Sequence, residues 1–460
     1  MEHKNSETLS NKARIGYALG AIPNGLLLYI FNLKYIEFFF NDLRLLPIFF
    51  IIGQVIYLLI NAINDPLLGH LSDSTNREKW GSRRIIYIKY AGPLWALSFL
   101  LVWFPWSLDN QIIIFIHYII TICLFDTFFT LVATVWLALL PEMTSDTDER
   151  SKVQFLVLLI GAFAVLPIFL VVGEMKPISN TFKIIAIFIA IVSTIMLFVV
   201  VRTCKERPEF QKDEVFPLFK SLKECLKLKS FRIYVGWIFF TALVDSVSLS
   251  YLFVYLLILG DNALITFFLI YIFGYYGSYI VCLKLRPKWQ MRNVILRFGI
   301  LRVLGSGFFF MLWLLSANLM FVLMGYICIC FFGGYSIFTF PLLYLSIDED
   351  EVKHGTRRDG MFQGLQALFN KPAVSIGPII ATIILVTFGY IQGSKTQSES
   401  ALFGIRLLFL IYPMIMTSFS LIFMYFYPLH GERLEKMKMK LDEIHKEKLS
   451  RVKKTIQTQI

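Results

Sequence analysis

The sequence has few charged side chains and lacks the short motifs by which many enzymes bind phosphate or zinc. Charged residues make up 17% of its 460 residues, whereas a soluble protein averages about 25%. No G-x-x-x-x-G-K-[ST] loop is present, so ATP is not the expected energy source. The six histidines form no H-E-x-x-H spacing, which argues against a catalytic zinc site. We therefore expect neither an enzyme nor a resident cofactor.

What the chain has instead is apolar sequence in long blocks. Hydrophobic residues make up 57% of it, and they fall in runs of about 20 residues or more, each long enough to cross a hydrocarbon core as a helix. Twelve spans are predicted: 15–40, 46–71, 85–106, 112–140, 153–173, 184–201, 231–259, 264–283, 293–315, 319–346, 362–391 and 402–428. The expected fold class is an all-α membrane protein.

Basic residues lie almost entirely on one side of these spans. The two tails and the even-numbered loops hold 33 Lys and Arg, whereas the odd-numbered loops hold four. The positive-inside rule then predicts a multi-pass protein of the cell membrane with both termini in the cytoplasm. The net charge is +12, and we expect the basic residues to interact with anionic lipid headgroups rather than with nucleic acid. No cysteine falls in an outer loop, so no disulfide is expected.

The charged segment 202–230 divides the spans into two sets of six. The predicted organisation is an N-terminal bundle, a cytoplasmic loop with an amphipathic second half, a C-terminal bundle and a solvated charged tail, at 1–201, 202–230, 231–428 and 429–460. The loops after spans 4 and 10 both place an acidic cluster ahead of basic residues. Two pseudo-symmetric six-helix bundles are typical of the major facilitator fold.

Charged residues inside the spans are candidates for function, because each costs about 2.5–3.5 kcal/mol on insertion scales. The clear cases are Asp65, Asp126, Asp245 and Lys371.

Five further charges in spans are expected to have structural roles. Lys34 and Glu37 are one helical turn apart, which predicts an ion pair. Arg297 and Arg302 are expected to snorkel to the inner membrane face, and Arg406 to the outer face.

The end of span 2, "NAINDPLLGHLSDST" (61–75), concentrates polar residues in apolar sequence. Asn61, Asn64 and Asp65 are spaced i, i+3 and i+4, so their side chains share one helix face. The proline that follows frees a backbone carbonyl of the preceding turn. These oxygens suit a hard monovalent cation, or a proton on Asp65. The alternative is a hydrogen-bond cluster that joins two helices.

Lys371 lies about ten residues into span 11, too deep to snorkel comfortably. A buried lysine needs a carboxylate partner or loses its proton. If Asp65 is that partner, cation binding to Asp65 releases the lysine, and the pair couples ion to substrate.

The loops that follow spans 2 and 4 predict a cytoplasmic gate. In "GHLSDSTNREKWGSRR" an aspartate at the helix end lies within reach of several arginines, and "PEMTSDTDER" has a similar composition. An ordinary basic loop is the alternative. The residues assigned to the gate are Gly69, Asp73, Arg77, Arg83, Arg84, Glu142, Asp146 and Arg150.

These motifs resemble those of the glycoside–pentoside–hexuronide:cation symporter family, which is melibiose permease-like and related to sodium-dependent lysolipid symporters. The resemblance rests on "NAINDPLLGHLSDSTNREKWGSRR", "LALLPEMTSDTDERSKV" and "GTRRDGMFQGLQALFNKPAVSIGP" and covers nearly the whole chain. It implies a twelve-helix transporter that moves a small solute with Na+ or H+, and we expect a monomer. The open alternatives are a lysolipid or other amphiphile symporter or flippase, an uncoupled facilitator, and a solute sensor that does not transport.

In that family, span 2 carries D-x-x-x-D-P-x-x-G, and its two aspartates bind the coupling cation. Asp65 matches the second aspartate, whereas Asn61 stands where the first would be. The missing charge leaves sodium coupling, proton coupling or no coupling open. Lys371 matches a lysine that lies near cation and substrate in the family.

The family's sugar-binding acids have no counterpart at the matching positions, which fall at Pro23 or Asn24 and near Ala133. Acids elsewhere in the spans are candidates to compensate, and aromatic rings are candidates to stack on a sugar. The predicted substrate contacts are Asn24, Asp126, Trp136, Asp245 and Tyr251.

Overall fold

The computed structural model describes residues 9–73, 75, 80–82, 84–144, 153, 156–157, 159–161, 163–164, 167–168, 171–173, 175–206, 225–248, 250–259, 263–355, 359–441 and 443–444. At some helical positions it describes the backbone but not the side chain.

The predicted all-helical membrane architecture is confirmed, since helices cover most of the described positions of every predicted span. In the first half the helices are α1 (Asn11–Ala18), α2 (Ala21–Ile36), α3 (Pro47–Asp73), α4 (Ile85–Trp103), α5 (Gln111–Met143) and α6 (Asn180–Thr203). A π-helical turn, Glu37–Asp42, continues α2, and the described positions between 153 and 173 are helical. Side chains of Ser10, Asn110 and Ser179 cap the N-termini of α1, α5 and α6.

The second half is built from longer and more interrupted helices. They are α7 (Lys229–Ser248), α8 (Leu252–Leu259), α9 (Ala263–Ser316), α10 (Leu319–Phe331), α11 (Thr339–His354), α12 (Asp359–Thr387), α13 (Glu399–Arg406) and α14 (Tyr412–Tyr425). A 3-10 turn, Gly334–Phe338, joins α10 to α11, and a π-helical turn, Leu407–Ile411, joins α13 to α14. The tail helix, residues 431–441, follows α14.

Two boundaries in this half differ from the sequence prediction. Span 7 was predicted as one helix, whereas α7 ends at Ser248 and α8 begins at Leu252. The predicted loop 284–292 is instead helical, and only Gln290 (φ 62°, ψ 156°) leaves the helical region. The 54 residues of α9 form two segments on either side of Gln290, each about 40 Å long and so long enough to cross a membrane. The Gln290 side chain accepts a hydrogen bond from the backbone N–H of Gly431 at 2.9 Å, which ties the kink to the tail helix.

Within the part of the chain that the structure describes, nine helical stretches are long and apolar enough to cross a membrane. Two of them, Leu269–Ser316 and Leu319–His354, have 48 and 36 residues, more than one crossing needs. The shorter apolar stretch Pro47–Asn61 begins α3. The protein is therefore a multi-pass membrane protein.

The chain divides into two compact units. Unit 1 comprises Met1–Val215, Val247–Leu257 and Pro378–Ala401, and unit 2 comprises Phe216–Ser246, Ile258–Gly377 and Leu402–Ile460. Parts of spans 7 and 11 thus belong to the same unit as the first six spans. The predicted domain boundaries themselves stay a prediction.

Unit 2 buries a carboxylate cluster at the C-terminal end of α11. Glu349 accepts a hydrogen bond from the Ser230 hydroxyl and forms ion pairs with Lys353 at 3.2 Å and Arg433 at 3.3 Å. Arg433 belongs to the tail helix, whose Leu434 and Met437 side chains are buried in the unit 2 core. The described part of the tail therefore packs against unit 2 through one face of its helix, while most of its other side chains are exposed.

We expect Glu349→Gln to lower the midpoint of thermal unfolding in detergent micelles. The substitution weakens three contacts to a buried carboxylate, and we expect a loss of roughly 1–3 kcal/mol in the free energy of unfolding. Glu432→Gln is the matched control, because Glu432 is exposed and pairs only with exposed Lys436. Its effect should stay within about 0.5 kcal/mol. Equal midpoints for the two variants would contradict the assigned role of Glu349.

Candidate functional site

The predicted cation-binding residues lie on α3, which continues through the proline after Asp65. Asn61 is 3% exposed. Asn64 donates a hydrogen bond from Nδ2 to Oγ1 of Thr127 on α5, at 2.6 Å. The Asp65 side chain lies outside the described residues. The hydrogen bond to Thr127 shows that part of this face joins two helices, as the alternative interpretation predicted.

The face of α5 that meets α3 is polar as well. The Tyr57 hydroxyl of α3 donates to Oδ1 of Asp126 at 3.0 Å. Asp126 is 6% exposed, and Thr130, one turn further along α5, is equally buried. We define the α3–α5 polar face as Tyr57, Asn61, Asn64, Asp126, Thr127 and Thr130. It offers carboxylate, amide and hydroxyl oxygens inside an apolar bundle.

Gln54, which is fully buried, extends this polar line along α3. Its Nε2 donates to the hydroxyl of Tyr118 on α5, and the hydroxyl of Tyr35 on α2 lies 3.4 Å from the same nitrogen. Tyrosine hydroxyls thus form hydrogen bonds with buried polar groups at two successive turns of α3. Sequence reasoning missed Gln54 and Tyr57 because their partners are distant in the chain.

A buried ion pair lies near the C-terminal end of span 1. Lys34 Nζ lies 2.6 Å from Glu37 Oε2 and donates a second hydrogen bond, at 2.7 Å, to the carbonyl oxygen of Gly173. Both side chains are buried. The ion pair predicted from sequence is confirmed, and Glu37 lies where α2 changes into the π-helical turn. π-helical turns occur frequently at functional sites.

In unit 1 residues 390–393, which follow α12, pack against the end of this π-helical turn. The side-chain oxygen of Asn41 accepts hydrogen bonds from the Tyr390 hydroxyl and from the backbone N–H of Gly393, both at 2.8 Å. Gln392 donates to the carbonyl oxygen of Leu45 at 3.0 Å. Gly393 adopts φ +73°, which favours glycine. These contacts hold residues 390–393 against the α2–α3 connection.

Two aromatic residues predicted as substrate contacts have buried partners inside unit 1. Trp136 stacks on Tyr17 with ring centroids 5.0 Å apart and donates to the Tyr17 carbonyl oxygen at 3.1 Å. The Tyr251 hydroxyl lies 2.9 Å from the carbonyl oxygen of Pro378 and 2.9 Å from Oγ1 of Thr382. In this conformation both rings pack within the protein, and their role as substrate contacts stays a prediction.

Asn24 and Asp245, the other predicted substrate contacts, lie in different environments. Asn24 is half-buried on α2 and donates from Nδ2 to the carbonyl oxygen of Gly20 at 2.9 Å. Asp245 on α7 is exposed, and its charge interacts with that of Arg302 on α9. Asp245 is therefore accessible to a polar solute in a way that Asp126 is not.

The arginines in spans 9 and 12 do not all behave as predicted. Arg302 is 2% exposed and donates to the hydroxyls of Tyr275 at 3.2 Å and Tyr335 at 3.4 Å, so its prediction as a snorkelling residue is wrong. The tyrosine hydroxyls hold the guanidinium inside unit 2. Arg297 lies over the ring of Trp289 at 4.2 Å from its centroid, a cation–π contact.

Lys371 is half-buried on α12. Asp65 and Lys371 belong to different units, and their pairing stays a prediction.

Most of the predicted gate lies outside the description. Arg77, Arg83, Asp146 and Arg150 are outside the described residues, as are the side chains of Asp73 and Glu142 and the surroundings of Gly69. Arg84 is buried, and Oε1 of Glu206 accepts from the backbone N–H groups of Arg84 and Ile85, both at 2.7 Å. Glu206 thereby satisfies free N–H groups at the start of α4, a role that the sequence did not reveal.

Among the residues that the structure describes, no three His, Cys, Asp or Glu side chains lie close enough together to hold a metal ion. The α3–α5 polar face is a different kind of site, because amides and hydroxyls surround a single described carboxylate.

The chain matches the family model "MFS/sugar transport protein" over residues 16–431. A candidate glycoside/cation symporter of Escherichia coli, YagG, is 24% identical, and the match covers 94% of this chain and 95% of YagG. The isoprimeverose transporter of Lactiplantibacillus pentosus is 23% identical, with 96% and 93% covered. Transmembrane protein 180 of Mus musculus is 32% identical over 165 residues, which is 33% of this chain and 31% of that protein.

Solved structures show the same fold at low sequence identity. The nucleoside transporter NupG superimposes with a TM-score of 0.60 at 12% identity, covering 91% of this chain and all of NupG. A D-xylose–proton symporter superimposes with a TM-score of 0.60 at 13% identity, covering 90% of this chain and 96% of that one.

We expect Lys34→Met to destabilise the protein by about 3–5 kcal/mol, because it leaves Glu37 buried without its cation. The double variant Lys34→Met/Glu37→Leu should recover most of this loss, since a well-packed apolar pair replaces the ion pair. Thermal unfolding in detergent measures both effects. Lys438→Met serves as the control, because Lys438 pairs with Glu435 at an exposed site. The role of the pair is refuted if Lys34→Met unfolds at the midpoint of the unmodified protein.

We expect Asn41→Leu to loosen residues 390–393, because two donors lose their shared acceptor. Each lost hydrogen bond costs about 1–3 kcal/mol, so amide exchange of Gly393 should accelerate on the order of tenfold or more. Hydrogen–deuterium exchange followed by mass spectrometry measures this, and Lys395→Ala, an exposed neighbour in the same segment, is the control. An unchanged exchange rate in Asn41→Leu would show that these contacts do not hold the segment.

Proposed function

Because the chain belongs to the MFS/sugar transport protein family, we propose that it is a cation-coupled symporter of a sugar- or glycoside-like solute. Na+ or H+ is the coupling ion, and transport proceeds by alternating access. The observation that carries this proposal is the α3–α5 polar face, where a carboxylate and two amides are kept inside membrane-spanning helices. Relatives matched over 95% and 93% of their length are named as a candidate glycoside/cation symporter and an isoprimeverose transporter.

Coupling in this proposal depends on Asp65 with Asn61 and Asn64 as the cation site, and on Lys371 as the group that senses whether the site is filled. A cation beside Asp65 neutralises the charge that would otherwise attract the lysine. Lys371 then becomes free to interact with substrate, so occupancy of one site changes affinity at the other. The reciprocal effect must also hold, so that substrate raises the affinity for the cation.

Substrate recognition is assigned first to Asp245 and Asn24. The exposed Asp245 carboxylate can accept hydrogen bonds from sugar hydroxyls, and its charge interacts with that of Arg302. Trp136 and Tyr251 become substrate contacts only in a conformation that separates them from their present partners. Chemistry on the solute is not part of the proposal, so neither an enzymatic activity nor a cofactor is required.

The proposed setting is the cell membrane, with both termini in the cytoplasm. The excess of basic residues in the tails and even-numbered loops supports this orientation. The same residues place positive charge next to anionic lipid headgroups. We propose a monomer, because each transport unit contains both six-helix halves in one chain.

We expect Asp65→Asn and Lys371→Ala to lose gradient-driven accumulation of solute in liposomes on which sodium and pH gradients are imposed separately. Asp109→Asn, an exposed loop carboxylate, is the control and should leave accumulation unchanged. The coupling proposal is wrong if both variants transport at full rate with unchanged gradient dependence.

The substrate class is tested by thermal unfolding in the presence of sugars, uronides and lysolipids, with and without sodium. We expect stabilisation by a sugar or glycoside, because an exposed carboxylate and an amide are the assigned contacts. Stabilisation by lysolipids alone would replace the sugar with an amphiphile as the transported solute. Binding of a sugar without counterflow would instead indicate a sensor.

A further inference from the structure

We infer that Asp126 is a second carboxylate of the cation site and not a contact of the transported solute. The inference rests on the proposed function and adds one residue to its coupling machinery. The contacts of the α3–α5 polar face carry it, because they place Asp126 beside the helix turn that holds Asn61.

Burial separates Asp126 from the solute contacts. Its side chain is 6% exposed, so a solute as large as a sugar cannot reach it in this conformation. Asp245 is exposed at a helix surface, as a solute contact must be. A small cation has no such size requirement, and a carboxylate inside a span is retained in spite of its insertion cost.

The register of the two helices places Asp126 level with Asn61. Tyr57, Asn61 and Asn64 are spaced i, i+4 and i+7, so they lie along one face of α3. Tyr57 contacts Asp126, and Asn64 contacts Thr127, the next residue of α5. Asn61 therefore lies between two contacts that reach adjacent positions of α5.

The groups gathered at this level are oxygen donors of the kind that hard cations prefer. Asp126 supplies a carboxylate, Asn61 supplies an amide oxygen, and Thr130 supplies a hydroxyl one turn from Asp126 on the same face of α5. Tyr57 donates to Asp126 and so holds the carboxylate toward α3. The ligand is a hard monovalent cation, Na+ or H+.

A proton at this site would bind Asp126 itself, so the neighbouring titratable groups matter. Among the described residues they include Tyr57 on α3, Cys123 on α5 and Tyr35, whose charge interacts with that of Tyr57. None of these three is basic, so none of them supplies positive charge to Asp126.

The test moves the carboxylate across the helix interface. Asp126→Asn removes it, and Asn61→Asp/Asp126→Asn restores one carboxylate at the same level on α3. Cation binding is measured without solute, from the shift of the thermal unfolding midpoint. Na+ is varied at fixed pH in one series, and pH is varied without Na+ in the other. We expect Asp126→Asn to weaken the apparent affinity for the stabilising cation at least about tenfold, and the double variant to recover most of it.

Transport gives the second readout. We expect Asp126→Asn to lose gradient-driven accumulation while it keeps solute counterflow in the absence of a gradient with a nearly unchanged KM. The double variant should regain accumulation. Asp109→Asn is the control for both readouts and should match the unmodified protein.

Several outcomes overturn the inference. The first is that neither Na+ nor protons stabilise the unmodified protein. The second is that Asp126→Asn keeps full cation affinity. The third is that the double variant folds but does not recover cation affinity. A raised counterflow KM with intact accumulation in Asp126→Asn would make Asp126 a solute contact. If the unmodified protein binds the cation but moves no sugar, the proposed function fails, and the midpoint shifts alone still decide the role of Asp126.

Discussion

The hydrocarbon core of a membrane offers no hydrogen-bond partners, so each charged or polar side chain within the spans must be matched by another group of the protein. Lys34 donates hydrogen bonds to Glu37 and to the Gly173 carbonyl. Arg302 donates hydrogen bonds to two tyrosine hydroxyls. Asp126 receives a hydrogen bond from Tyr57. These matches fix which helices pack together, and they also decide which charges remain available for binding.

Structural and functional charges can be told apart on this basis. Lys34 and Glu37 neutralise each other at a buried position and hold the end of span 1 to Gly173. Asp245 is different, since its carboxylate is exposed and interacts with a guanidinium that tyrosines already hold. A pair of buried opposite charges gives a rigid support, whereas an exposed carboxylate near a fixed cation can exchange partners with a solute.

The sequence predicted the features that depend on local spacing. Hydrophobic blocks predicted the spans, and the i, i+3 spacing of Lys34 and Glu37 predicted their pairing. It did not predict that Arg302 is held by Tyr275 and Tyr335, because those contacts join residues 27 and 33 positions apart. Nor did it predict that the Tyr57 hydroxyl donates to Asp126, because the two residues are 69 positions apart. The kink at Gln290 was missed because residues 284–292 are polar enough to indicate a loop, although their backbone is helical on both sides of it.

The proposed symport requires solute and cation to cross the membrane together on this protein. We would measure the cation movement that solute causes in proteoliposomes that contain the unmodified protein and no imposed gradient. Radioactive sodium uptake and external pH are recorded while a sugar or glycoside is added outside. We expect the solute to drive uptake of Na+ or H+ in fixed proportion to its own entry. Solute entry with no movement of either ion would contradict it.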